Sequence, residues 1–220
     1  MTDANPYVTR LRKVDCCAVS DALDSLKLTG VVTGLPQQSG TGRIAGQVIT
    51  VKLGSGPPPS GTPRHLCTTA IESGGPDNII VVEQRTGIEA GSWGGLLSVG
   101  AQTRNIAGVV VEGPTRDIDQ AIEMQFPVFA RSLTSLTARG RIAEQATNVP
   151  ITVGSVSVSP GDYVVADKSA VIFIAAADIG RVLDAAERIV TREDEMAKHI
   201  RAGQPIGSVM GGNYEHMLQT

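Results

Sequence analysis

The chain has 220 residues, 41% of them hydrophobic and 19% charged, a balance typical of a globular protein with one sizeable core. Its formal net charge of -3 offers no broad attraction for phosphate backbones and argues against nucleic acid as the main partner. Cys16, Cys17 and Cys67 form no disulfide framework, and neither a signal-peptide pattern nor a membrane-length apolar run occurs, so a soluble cytoplasmic protein with reduced thiols is expected.

In chain order, short β-branched runs alternate with helical segments. "VSDAL" (19–23) follows a Cys-Cys pair and reads as a short helix with Ser20 or Asp21 as its N-cap. "GRIAGQVITVKL" (42–53) is a Val-, Ile- and Thr-rich strand. The segment "SGPPPSGTPR" (55–64) is neither strand nor helix, because its prolines lack backbone donors. "HLCTTAIES" (65–73) reads as a helix, and "IIVVEQ" (79–84) as a strand buried on both faces.

The same alternation continues through the middle of the chain. "SWGGLLSVGAQTRN" (92–105) suits a helix whose start is loosened by Gly94 and Gly95, "IAGVVVEG" (106–113) is the next buried strand, "TRDIDQAIEMQ" (115–125) is helical, and "FPVFARS" (126–132) is a short strand. Residues 151–175 alternate in the manner of antiparallel strands around the turn Pro160–Asp162. From Ala176 a long amphipathic helix runs until Gly203 and Pro205 stop it. A mixed α/β domain over residues 1–175 and a C-terminal helical extension over residues 176–220, packing in the oligomer, are expected.

The ordered series "SDALD", "GRIAG", "PDNIIVVE", "WGGLLS", "GVVVEGPTRD", "FPVFAR" and "PGDYVVAD" resembles the RraA-like family. That family includes the class II aldolases acting on 4-hydroxy-4-methyl-2-oxoglutarate and 4-carboxy-4-hydroxy-2-oxoadipate. The resemblance spans most of the chain and implies a swivelling β/β/α fold, a homotrimer or dimer of trimers, and clefts between subunits. Some relatives are often mislabelled as demethylmenaquinone methyltransferases and are regulators that bind a ribonuclease; no methyltransferase signature is visible in this sequence.

Carried over residue by residue, the resemblance assigns Asp117 to anchoring a divalent cation, Mg²⁺ or Mn²⁺, largely through waters. Arg116 matches the guanidinium that contacts substrate oxygens, and its fork suits a planar carboxylate better than a lysine would. In "GGLL" (Gly94 to Leu97) the backbone N–H groups of Leu96 and Leu97 match donors to a pyruvyl carboxylate at a helix N-terminus. As side chains, both leucines read as core.

The departure is Gly95, which stands where the aldolases carry an Asp or Glu base. Glu89, Glu112 or a C-terminal glutamate could replace that base, or the reaction needs none, as in decarboxylation of a 2-oxo diacid. Glu112 reads either as an orienting group for Arg116 and the cation's waters or as a structural ion pair. Glu193 and Glu195 lie where the aldolases send a glutamate into a neighbouring site; either could be the match, and at least one of them reads as part of a solvated helix face. His65 reads either as a contact for the substrate's distal group or as a capping or surface residue, and Trp93 as core or site lining. Two functions stay open: a metal-dependent lyase on a 2-oxo acid, by aldol cleavage or decarboxylation, or a catalytically silent, regulatory binding protein.

Overall fold

The computed structural model describes residues 4–59 and 64–211. Helices α1 (Pro6–Leu11) and α2 (Cys16–Ser25) and the short strands β1 (Val31–Val32) and β2 (Gln37–Ser39) come first. Three successive strand–helix–strand units follow: β3 (Ile44–Gly54), α3 (Thr68–Ser73), β4 (Asn78–Gln84), α4 (Gly95–Thr103), β5 (Gly108–Thr115), α5 (Ile118–Glu123) and β6 (Val128–Leu133). Then come β7 (Ala143–Thr147), β8 (Ile151–Val153), β9 (Val156–Val158), β10 (Tyr163–Ala166), β11 (Val171–Ile174), α6 (Ile179–Arg201) and α7 (Ile206–Val209).

The main sheet runs β1-β11-β10-β3-β4-β5-β6-β2, with β7 also paired to β3, while β8 and β9 form a separate hairpin. Pairing is parallel from β3 through β6 and antiparallel elsewhere. Alternation along each strand divides the core into layers, since successive side chains leave opposite faces. Ile80, Val82, Val109 and Val111 face α3, α4 and α5. Val165, Ile172 and Ile174 face α1, α2 and α6 on the antiparallel half. On the other face Val81, Val110, Val164 and Phe173 pack with Ile151, Val153 and Val158 of the hairpin. Strands buried on both faces therefore read as unbroken apolar runs, and the layering is β/β/α.

Some local boundaries differ from the expectations. The N-cap of α2 is Asp15, whose carboxylate accepts from Ala18 N, and not Ser20 or Asp21; the Cys-Cys pair is ordinary helix and does not delay its start. Residues 65–67 form a turn ahead of α3 because Cys67 is left-handed, with φ 66°. The long helix starts at Ile179 and not at Ala176. Helix α1 was not anticipated, nor were strands β1, β2 and β7. No helix among the described residues is long and apolar enough to cross a membrane. Trp93 is fully buried and stacks on Phe126 at 6.4 Å, so it is core.

Glu193 on α6 faces Asp15 and Asp21 near the start of α2. Burial, and then the charges of Asp15, Asp21 and Asp194, hold its carboxyl above the ordinary value. Asp21 is raised in the same way by burial and by Asp24 and Asp15. A carboxylate raised on folding destabilises the native state once ionised, so the penalty is absent below the unfolded-state value and complete above the folded one. Glu193→Gln is thus expected to raise Tm at pH 7, by an amount equivalent to about 0.5 kcal/mol or less because the group is largely solvated. The gain should vanish near pH 4, as thermal melts at the two pH values would show.

Candidate active site

The end of β5 is tied to the loop before α4. Ser92 N donates to Pro114 O at 2.8 Å, and Arg116 N to Trp93 O at 3.0 Å. The hydroxyl of Thr115 adds a bond to Trp93 O at 3.1 Å. These bonds bring Arg116 and Asp117 to the N-terminus of α4. Asp117 occupies the cap position of α5 with φ 56°, yet its carboxylate makes no cap bond there. Its Oδ2 instead accepts from Gly95 N at 3.2 Å, the first amide of α4, and its Oδ1 from Arg116 Nε at 3.2 Å.

Three glycines make this approach possible. A Cβ on Gly91 would stand 2.8 Å from Arg116 Cγ, and one on Gly94 2.9 Å from Asp117 Oδ2. A Cβ on Gly95 would overlap the side-chain oxygen of Gln120. Gly95 is not among the residues with positive φ, so the constraint there is space and not backbone strain.

Arg116, Asp117, Gly94, Leu96 and Leu97 line one side of a cleft of about 380 Å³, within the range of small-molecule sites. At the head of α4, Ser98 N reaches Gly94 O, while the N–H groups of Leu96 and Leu97 have no partner among the described residues. These donors, at the positive end of the helix dipole and beside a guanidinium, suit a carboxylate. Leu97 is buried as expected, but Leu96 is 85% exposed and is not core in this chain.

His65, Arg64 and Arg139 line the same cleft. Its Nδ1 lies 3.1 Å from Leu66 O. Arg64 pairs with Glu72 at 2.9 Å, and the Arg139 side chain has no partner among the described residues. The cleft also holds Glu144, which the sequence reading missed. Its carboxylate accepts from Cys67 N at 2.6 Å and from the Thr147 hydroxyl at 2.5 Å. It thereby holds the left-handed turn that carries Arg64 and His65, and burial followed by the Glu144 charge pushes the Cys67 thiol well up. Only the polar residues around it, in the unpredicted strand β7, could have hinted at this.

The other acids lie elsewhere. Glu112 does not touch Arg116; its Oε2 accepts from Arg131 Nε at 2.9 Å and forms an ion pair with Nη2 at 2.9 Å, and Arg131 also donates to Thr33 O at 2.6 Å. This is the structural ion pair of the two expected alternatives. Glu89 accepts from the Thr134 hydroxyl at 3.0 Å and does not line the cleft. Glu193 and Glu195 sit on α6 outside the cleft of their own chain, Glu195 bound to Lys198. His199 is also on α6, and His216 lies outside the described residues.

For a divalent cation the residue that fits is Asp117, a partly exposed carboxylate with one hydrogen bond to each oxygen and lone pairs to spare. No group of three or more His, Cys, Asp or Glu side chains is gathered for metal binding among the described residues. A cation held there would draw its other ligands from water and substrate oxygens, as Mg²⁺ does.

A family model described as RraA-like, Aldolase/RraA, matches residues 16–173. A Halalkalibacterium halodurans protein with the provisional name 4-hydroxy-4-methyl-2-oxoglutarate aldolase is 30% identical over 183 residues, 83% of this chain and 82% of that one. Legionella pneumophila protein DlpA is 26% identical over 86% of this chain, which spans 30% of DlpA's length. Among solved structures, an uncharacterized Pseudomonas syringae protein superposes with a TM-score of 0.84 at 24% identity, covering 94% of this chain and 98% of that one. Streptomyces coelicolor RraAS2, described as an unusual member of the RNase ES inhibitor RraA protein family, superposes with a TM-score of 0.74 at 21% identity, covering 88% and 96%. These structural likenesses establish the fold, including its C-terminal helix.

If the glycines are required by space, Gly91→Ala should destabilise by about 1–3 kcal/mol, the usual cost of overpacking. Gly100→Ala, inside α4 where a Cβ meets Ile71 Cγ2 at an ordinary 3.5 Å, should stabilise by about 0.5–1 kcal/mol. Urea unfolding of the two variants checks both signs, and a neutral Gly91→Ala would remove the packing argument.

Proposed function

The chain belongs to the RraA-like, Aldolase/RraA, family, and from that premise we propose that it is a carbon–carbon lyase acting on a 2-oxo acid. The observation that carries this reading is the convergence of Arg116, Asp117 and the two free amides of Leu96 and Leu97 on one cleft. The provisional aldolase names of relatives from Halalkalibacterium halodurans and Deinococcus radiodurans support the reaction class.

In this reading the Leu96 and Leu97 amides take the carboxylate of the 2-oxo acid and fix its orientation. Arg116 aims its donors at the keto oxygen, where negative charge grows as the carbon–carbon bond breaks. Asp117 would hold Mg²⁺ or Mn²⁺, which when bound would supply Lewis-acid chemistry. Arg64, His65 and Arg139 meet the distal part of the substrate across the cleft, where two or three cationic groups favour an anionic end. Leu96, exposed at the mouth beside Val99 on the same helix, motivates the further proposal of a homotrimer or dimer of trimers with the cleft at a subunit boundary. Glu193, on a helix whose second half is mostly exposed, would reach a neighbouring cleft only in such an assembly. A cytoplasmic location completes the proposal.

Gly95 bears on the choice of reaction. Aldol cleavage needs a base for the substrate's hydroxyl proton, whereas loss of CO₂ from a 2-oxo diacid needs none. The natural protein is expected to release pyruvate from oxaloacetate faster than from a 4-hydroxy-2-oxo diacid, in a coupled assay run with Mg²⁺ or Mn²⁺ and then with chelator. The same glycine favours a second reading, a catalytically silent binding protein, and absence of pyruvate release from either compound would establish it over the lyase.

Asp117→Ala should abolish the cation-dependent turnover while circular dichroism shows the fold retained; unchanged turnover at saturating Mg²⁺ would remove the anchor role. Arg116→Lys should lose on the order of 10²-fold or more in kcat, the scale of a lost oxyanion donor. A loss of only a few-fold would make Arg116 structural.

A further inference from the structure

We propose that Gln120, which stands beside Asp117 at the edge of this cleft and not among the residues that line it, determines specificity there, because its carboxamide fills, from α5, the space that a side chain at residue 95 would take; the inference rests on the lyase reading. Gln120 stands three residues after Asp117, so the two share a face of α5, and that face turns toward the head of α4. A Cβ built on Gly95 would overlap Gln120 Oε1, lie 2.8 Å from its Cδ and 3.3 Å from Asp117 Cβ. The carboxamide has no hydrogen-bond partner among the described residues, and Gln120 is exposed. It is a polar group held against the first turn of α4, next to the carboxylate of Asp117, with its hydrogen-bonding capacity unspent within the chain.

A carboxamide at this point donates and accepts hydrogen bonds but takes up no proton near neutral pH. This distinction separates the two reactions. In decarboxylation the bond to the departing carboxylate breaks, its electron pair moves into the enolate, CO₂ leaves, and a proton from water later completes the methyl group of pyruvate. No group on the protein has to remove a proton. In aldol cleavage the hydroxyl proton goes to a base, the O–H pair becomes the carbonyl of the departing fragment, and the carbon–carbon pair moves into the same enolate. Gln120 can orient that hydroxyl but cannot accept its proton. The neutral amide therefore favours the first reaction and also bars the space to an acid from residue 95.

The arrangement makes a particular demand on substitution. Gln120→Glu is isosteric and brings a carboxylate to this space from α5, so it is expected to raise the ratio of aldol cleavage to decarboxylation, each as kcat/KM, on the order of 10²-fold, the lower range for a positioned base. It should also give the cleavage rate an acidic limb in its pH profile that decarboxylation lacks. Gly95→Asp alone should raise the ratio less, and lower Tm, because Gln120 occupies the space. Gly95→Asp with Gln120→Ala should recover both the Tm and the gain in ratio.

The test measures pyruvate release from oxaloacetate and from a 4-hydroxy-2-oxo diacid for the natural protein and these three variants, with thermal melts alongside. A natural protein active on oxaloacetate whose Gln120→Glu ratio stays within about threefold overturns the inference while leaving the lyase reading intact. Identical Tm and ratio for Gly95→Asp with and without Gln120→Ala overturn it as well, since the two side chains would not then share the space. A natural protein that turns over neither compound overturns the lyase reading, and the inference with it.

Discussion

The bond from Gly95 N to Asp117 Oδ2 joins the two parts of the cleft. Asp117 adopts the left-handed conformation, which costs a non-glycine residue roughly 1 kcal/mol, although aspartate bears it better than most. A cap position normally recovers such a cost by binding the first amides of its own helix. Asp117 forgoes that bond and serves the neighbouring helix instead. The carboxylate is thereby placed at the positive end of α4, and Arg116 Nε holds its other oxygen. Without the left-handed turn, β5 would deliver its two charged residues away from the Leu96 and Leu97 amides.

The sheet was legible in the sequence where burial is two-sided. Runs such as Ile79–Val82 and Val109–Val111 are fully buried, so no polar residue interrupts them and a strand is the natural reading. Strand β7 was not legible, because Ala143–Thr147 is half-buried at every position and follows neither a period of two nor an apolar run. It exists through its pairing with β3, a tertiary fact. Likewise β1 and β2 are two and three residues long, too short for any period to show.

The same division holds within the cleft. Arg116, Asp117 and "GGLL" stand at element ends, where local sequence and position coincide, so they could be read in advance. Glu144 and Arg139 come to the cleft from β7 and the segment before it, which have no strong pattern. Glu112 was ambiguous from sequence because its partner, Arg131, is a residue of the neighbouring strand, and only register decides which cation an acid on β5 meets. Leu96 and Leu97 were read alike as core, yet successive helix residues point about 100° apart, and one is buried while the other faces outward.

Charge in this cleft is local and opposes the charge of the whole. The protein carries a net -3, yet Arg64, Arg116 and Arg139 line a cavity whose acids, Asp117 and Glu144, are already engaged by hydrogen bonds. An anion entering meets free or shared cationic donors, while the negative exterior limits nonspecific association with polyanions. The acids in turn position their neighbours: Glu144 fixes the turn bearing Arg64 and His65, and Asp117 fixes the head of α4. Each carboxylate is thus placed where it orients donors. The space beside Gly95 at this helix head is taken by the neutral amide of Gln120 and not by a third acid.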